Sequence, residues 1–112
     1  MPTTNSAYGS GGVGNYCDEE STLNPLSLYA RDKVEVEEVL MSHPLATSFR
    51  LATVFGISAR MRLDLLVNSF VNKALTDRYL ILFEGHFKRN YVHVSDVSRL
   101  FQFAIANPDK AP

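Results

Sequence analysis

One cysteine, Cys17, is all the thiol this chain has, so no disulfide can close within it. A small fold without disulfides suits a reducing, cytoplasmic setting. No apolar run approaches the ~20 residues of a membrane helix. The polar N-terminus also has no secretory-signal pattern. Charge of one sign is missing too: 11 Lys and Arg stand against 12 Asp and Glu, a net charge of −1. That balance gives no electrostatic case for nucleic acid or an anionic membrane as partner. His86 and His93 have no third ligand at metal spacing, so no metal site is expected. What is present is 112 residues, 46% of them hydrophobic, enough for one modest domain with a single pair of packed layers.

Helical and extended patterns alternate along the chain. A short strand end is expected within 2–7, followed by a polar, glycine-rich loop to residue 24. Asn24 as N-cap, Pro25 at the first helical position and Pro44 beyond the end predict a helix over 25–43. Residues 47–55, rich in β-branched and aromatic side chains, read as one buried strand ending at Gly56. A basic connector with Arg60 and Arg62 follows, its arginines read as exposed loop residues rather than phosphate ligands. Apolar positions Leu63, Leu66, Val67, Phe70, Val71 and Ala74 predict a helix over 63–76. Asp64 and Asp96 are candidate helix caps, and Asn68 faces either substrate or water. Residues 79–83 read as a short strand broken by Gly85, and 91–94 as another extended piece. A last helix over 96–106, capped by Ser95, buries Val97, Leu100, Phe101, Ala104 and Ile105. This alternation predicts an α/β architecture.

Tyr29 and Lys33 are the pair that points to chemistry. On a helix they lie one turn apart and share a face. Tyr29, Lys33, Val36 and Leu40 form one stripe at about 100° per residue, read as the inward face. A lysine on an apolar stripe needs a reason beyond solvation, and catalysis supplies one. A phenol, with its ordinary pKa near ~10, is a poor base at neutral pH unless its anion is stabilised. An adjacent ammonium does this, and lowering a phenol by roughly 3 units requires about 4 kcal/mol.

Gly9, Gly11 and Gly14 match the dinucleotide pattern G-x-G-x-x-G letter for letter. The mechanism needs a buried strand before the glycines and a helix after them, so that pyrophosphate rests on the helix N-terminus. Neither pattern is there, and Asp18, Glu19 and Glu20 downstream would repel phosphate. The cluster is therefore expected to be a loop rather than a phosphate cradle.

Thr4, in Thr-Asn-Ser-Ala-Tyr-Gly, with Glu20, Pro25, Tyr29 and Lys33 in order after it, resembles the Ser/Thr…Tyr-x-x-x-Lys centre of extended short-chain dehydrogenases/reductases. These are the NAD-dependent epimerases and dehydratases that act on nucleotide sugars. Arg50-Leu-Ala-Thr-Val-Phe-Gly56 is similar to the family's Arg-x-x-Asn-x-Tyr-Gly segment. Arg89-Asn-Tyr-Val-His-Val-Ser-Asp96 looks like its Arg-Asp-Tyr-Ile-His-Val-x-Asp segment. The resemblance runs from Thr3 to about Asn107. It implies the C-terminal portion of a Rossmann-like doubly wound domain plus part of a small substrate-binding region. The glycine-rich dinucleotide-binding half would be absent.

By the same resemblance, Tyr29 is the acid/base and Thr4 holds the substrate hydroxyl. Lys33 supports Tyr29 and binds the nicotinamide ribose. Ala52 would lie against the cofactor, and Thr53 and Arg89 against the substrate, Arg89 at the nucleotide pyrophosphate. Thr53 stands where the family usually has Asn, and Asp32 where it has a small hydroxyl residue. Asn5-Ser6 replace the Asp-Glu that dehydratases carry after the catalytic Thr, which favours an epimerase or reductase. The implied cofactor is NAD, with NADP as the alternative, and the implied partner a nucleotide sugar. Relatives form a homodimer bundle from the Tyr-Lys helix and a preceding helix; that neighbour is absent here, which leaves homo-oligomerisation open, while the apolar edge exposed without the first half suits association with a full-length relative. The competing reading is a catalytically inactive remnant serving as an interaction module.

Overall fold

A computed structural model describes residues 1–10 and 16–110 of the chain. Two compact units are present, Met1–Ala52 with Pro108–Pro112, and Thr53–Asn107. Among the described residues each contains one two-stranded parallel sheet, and the two together carry three α-helices. Parallel strands joined through helices make this an α/β architecture, consistent with part of a Rossmann-like domain.

In the first unit β1 (Pro2–Thr4) pairs in parallel with β2 (Phe49–Leu51), with Thr4 opposite Leu51. A 3-10 turn over Asn5–Tyr8 follows β1 directly, and α1 (Leu28–Met41) packs on both. The cap of α1 is Ser27, not Asn24: its Oγ accepts from Ala30 N at 3.1 Å. Asn24 is used elsewhere, donating its backbone N–H to Ala7 O at 2.8 Å. The helix thus begins three residues later than its Asn-Pro signal suggests.

The inward face of α1 is also not the predicted stripe. Ala30 and Glu37 are buried, while Tyr29 is 56% exposed and Val36 44% exposed. Lys33 and Leu40 lie between, half-buried. Packing explains the rotation. The methyl group of Ala30 lets the helix approach closely, and Glu37 is drawn in by Arg50 of β2 and by Ser48 just before that strand. The buried set of this unit is Thr3, Thr4, Ala7, Ala30 and Glu37, and no large side chain among the described residues is fully buried.

The second unit pairs β3 (Thr53–Phe55) with β4 (Tyr91–His93), also in parallel. Residues 47–55 are therefore two strands interrupted at Ala52, each with its own partner, rather than one. α2 spans Leu66–Thr76 and α3 spans Val94–Ala106. Asp64 does not cap α2: Leu65 holds the cap position with no side-chain bond, and Asp64 is engaged by Arg62. His93 rather than Ser95 caps α3, its Nδ1 accepting from Ser95 N at 3.2 Å. Val97, Leu100, Phe101 and Ala104 are the more covered side of α3 but only half-buried rather than buried, and Ile105 is 81% exposed. The predicted strand at 79–83 does not form, and Tyr79 through Phe83 are exposed. Apolar β-formers become a strand only when a neighbour completes the ladder, and no strand among the described residues pairs with them.

Candidate active site

Thr4 ends β1 and is buried, at 8% exposure. Its Oγ1 accepts from Ser6 N at 3.2 Å and so caps the 3-10 turn that follows. A threonine at a strand-to-turn junction has its χ1 fixed by that bond, and its hydroxyl has a fixed place relative to the strand. Tyr29 lies in the first turn of α1 and Lys33 in the next, with α1 packed on β1. The strand end and the helix therefore belong to one packed assembly, with Tyr29 on its open side and Lys33 half-buried. Among the described residues Lys33 forms no ion pair.

The most heavily bonded group in this unit is Arg50 of β2. Its Nε donates to Glu37 Oε1 at 2.8 Å, and its Nη2 lies 2.6 Å from the same oxygen. Its Nη1 donates to the Tyr8 hydroxyl at 3.0 Å and to the Glu19 carbonyl at 3.1 Å. The guanidinium also sits 5.3 Å from the centroid of the Tyr8 ring, within cation–π range. Ser48 Oγ donates to Glu37 Oε2 at 3.1 Å, and Thr3 Oγ1 lies 2.9 Å from Ser48 Oγ. Burial opposes the charge on Glu37, but the Arg50 guanidinium and the Thr3 and Ser48 hydroxyls outweigh it, leaving the carboxyl below its ordinary range. Glu37 in turn raises the Arg50 pKa further.

Sequence reasoning by periodicity passed over Glu37, Tyr8 and Ser48. One signal was available: Arg50 sits amid Phe49, Leu51, Val54 and Phe55, and a guanidinium in an apolar strand needs a carboxylate partner.

In the second unit Thr53 opens β3, half-buried, and donates its backbone N–H to Asn90 O at 3.3 Å. Arg89, beside Asn90, is exposed. Asn68 is buried, at the wall of a small cavity it shares with Phe55, Gly56, Arg62 and Val94: its Oδ1 accepts from Gly56 N at 3.4 Å and its Nδ2 donates to Arg62 O at 3.2 Å. Arg62 is paired with Asp64 at 2.8 and 2.5 Å, and the guanidinium holds the Asp64 carboxyl down to about 2. His93 packs edge-on against Phe55, ring centroids 5.2 Å apart. Because its Nδ1 accepts from Ser95 N, the neutral ring carries its proton on Nε2. Gly56, at φ 127°, could not carry a side chain here: a Cβ would fall 2.8 Å from His93 Nε2 and from Val94 Cγ1. Ala52, the last residue of the first unit, is half-buried.

The sequence model of the NAD dependent epimerase/dehydratase family matches residues 2–112. The chain belongs to that family. Membership implies a nicotinamide cofactor. Tyr29 and Lys33 offer a hydroxyl and an ammonium on adjoining turns of one helix, and no carboxylate among the described residues pairs with the ammonium. That donor set fits the ribose and nicotinamide end of the cofactor. Gly9 does not fit a phosphate cradle, since a Cβ there would lie 2.2 Å from Asn24 O. Its positive φ of 66° serves the turn against Asn24 instead. Gly11, Gly12 and Gly14 lie outside the described residues. No group of three or more His, Cys, Asp or Glu that could hold a metal occurs among the described residues. Nor, among them, is any helix long and apolar enough to cross a membrane.

Proposed function

We propose that this chain carries the acid/base centre of an NAD-dependent nucleotide-sugar epimerase or reductase. The observation that carries the reading is the open face of α1, where Tyr29 and an ammonium unclaimed by any described carboxylate stand one turn apart. Tyr29 Oη removes the proton of a sugar hydroxyl as the carbinol carbon is oxidised, and returns it on reduction. The Lys33 ammonium favours the phenolate by Coulomb attraction and donates to the cofactor ribose. The Thr4 hydroxyl, fixed at the end of β1, orients the substrate hydroxyl toward Tyr29. Hydride exchange at the sugar carbon is the chemistry a bound nicotinamide supplies. Ala52 is the residue of β2–β3 assigned to the cofactor, with Thr53 and Arg89 assigned to the nucleotide sugar. A guanidinium suits pyrophosphate through its forked donors. NAD is preferred over NADP, and a cytoplasmic setting is part of the proposal.

The test is a titration of purified chain with NADH, followed by nicotinamide fluorescence, and then turnover with nucleotide sugars. Saturable binding, weakened at least tenfold in Lys33→Ala, is expected. Tyr29→Phe should retain binding but lose about 10²–10⁴ in kcat, the range of a missing general acid/base. Turnover by Tyr29→Phe at the wild-type rate would remove Tyr29 from its role.

The interaction-module reading has its own support. Leu28, Val39, Leu45, Leu75, Leu82 and Phe83 are all at least 65% exposed, and large unpartnered apolar side chains favour association. A chain that ignores NADH yet elutes as a dimer or larger would favour that reading, either with itself or with a full-length relative.

A further inference from the structure

We infer that Arg50 serves the Tyr29–Lys33 pair as a positioning residue, by holding Glu37 away from Lys33. The inference rests on the acid/base reading of that pair. Lys33 and Glu37 are four residues apart on α1, and opposite charges at that spacing are neighbours that ordinarily attract. Here they do not pair. Glu37 Oε1 is taken by Arg50 Nε and Nη2, and Oε2 by Ser48 Oγ, so both carboxylate oxygens are already engaged.

Two cations compete for one carboxylate, and the geometry decides between them. Arg50 approaches from β2 with two N–H groups into a site where Glu37 is buried. A guanidinium is weakly hydrated and loses little on entering such a site. An ammonium is compact and strongly hydrated, and would surrender more water for a single point contact. Arg50 therefore wins, and it is locked in place by the Tyr8 hydroxyl and the Glu19 carbonyl on its other nitrogen. The consequence falls on Lys33. A lysine neutralised by its own helix neighbour would be a poor stabiliser of a phenolate and a poor donor to a ribose. With Glu37 sequestered, its charge and its three donors stay available on the Tyr29 side of the helix.

Competitive acylation of the lysines with acetic anhydride, resolved by peptide mass, reads this without any turnover. Lys73 and Lys88, in the other unit, are internal references. In Arg50→Gln the freed carboxylate captures Lys33, and its labelling slows by about twofold or more relative to Lys73, as an i,i+4 ion pair requires. Glu37→Gln alone leaves Lys33 labelling at the wild-type rate. The double variant Arg50→Gln/Glu37→Gln restores it, which a merely structural role for Arg50 would not do. A folded Arg50→Gln with unchanged Lys33 labelling overturns the inference, as does a double variant that fails to restore it. Should Arg50→Gln not fold, Glu37→Gln decides alone, because faster Lys33 labelling would mean that Glu37 already acts on Lys33. NADH titration of the same proteins separates the two levels. A wild-type chain silent toward NADH sinks the acid/base reading but leaves the labelling pattern standing, whereas normal NADH binding with flat labelling sinks only the role of Arg50.

Discussion

The two units are held together by different means. Met1–Ala52 is knit by polar groups: one arginine binds a helix carboxylate, a tyrosine hydroxyl and a loop carbonyl, and the buried residues are mostly threonines, alanines and a glutamate. Thr53–Asn107 is built around a strand pair with Phe55 against His93, a glycine with no space for a side chain, and an amide that ties two points of the β3–α2 connection. The first arrangement leaves a charged helix face open for chemistry. The second fixes backbone. The difference teaches that in so small a fold the unit carrying the proposed Tyr29–Lys33 pair derives its order from one ion-pair hub rather than from apolar volume.

Breaking that hub should have the largest effect on stability. Arg50→Ala takes from Glu37 a partner with two N–H groups, which a single Lys33 contact replaces only in part, and should cost about 3 kcal/mol, the lower end for removing one partner of a buried pair. Urea unfolding measures it through the midpoint at unchanged slope. The same hub sets a pH dependence of known sign. The folded-state pKa of Glu37 is lowered, so its contribution is fully present above its ordinary value near 4.5 and is lost as pH falls through the folded value. Stability should therefore decline below about pH 4.5, and Glu37→Gln should flatten that decline. An equally steep acid limb in Glu37→Gln would show that other carboxylates govern it.

Next in size is the corresponding break in the second unit. Gly56→Ala forces a Cβ into His93 and Val94 at a backbone angle that L-residues rarely adopt. A cost of about 2 kcal/mol is expected from strain at such a position. The clash also acts on the ring that caps α3, so amide exchange should rise in Val94–Ala106. If Gly56→Ala melts with the wild type, the close approach to His93 is not what confines this position to glycine.

How much of this was legible in the sequence follows the same division. α2, α3 and the β4 segment were readable as elements from apolar spacing or β-branched content, but not what α2 buries: Leu66 and Val71 are exposed and its one buried residue is Asn68. The placement of Tyr29 and Lys33 on one helix needed only the i,i+4 rule. The buried face of α1 was not readable from hydropathy, because a glutamate lies on it and is drawn in by an arginine of β2 and the serine just before that strand. Asn24 looked like a cap because it precedes proline, but a tertiary bond to Ala7 claims its backbone and leaves the capping to Ser27. The run at 47–55 has strand composition throughout, and only pairing with two different partners reveals the break at Ala52. Residues 79–83 have the composition of a strand without a neighbour to pair with among the described residues.

A smaller effect tests the start of α1. Ser27→Ala removes the bond to Ala30 N and should cost about 1 kcal/mol, as a lost N-cap does. Asn24→Ala, which leaves the backbone bond to Ala7 intact, should cost less. The reverse ranking would return the cap to Asn24 and extend the helix toward Pro25.

The smallest effect belongs to the shortest ion pair of the second unit. Arg62 and Asp64 meet at 2.5 Å, and the carboxyl is held to about 2, which would ordinarily suggest a strong contribution. Both side chains are 62% exposed, however, so water and salt screen the pair and its two partners lose side-chain freedom to make it. The sign of its linkage matches that of Glu37: the contribution is present above the ordinary aspartate value and lost as pH falls toward about 2. Its size is what separates the two. Asp64→Asn should leave the thermal midpoint within error of the wild type at pH 7, in low salt and in 1 M salt alike. A clear destabilisation that vanishes in high salt would show that this exposed pair does for the second unit what Arg50 and Glu37 do for the first, and the contrast between the units would no longer hold.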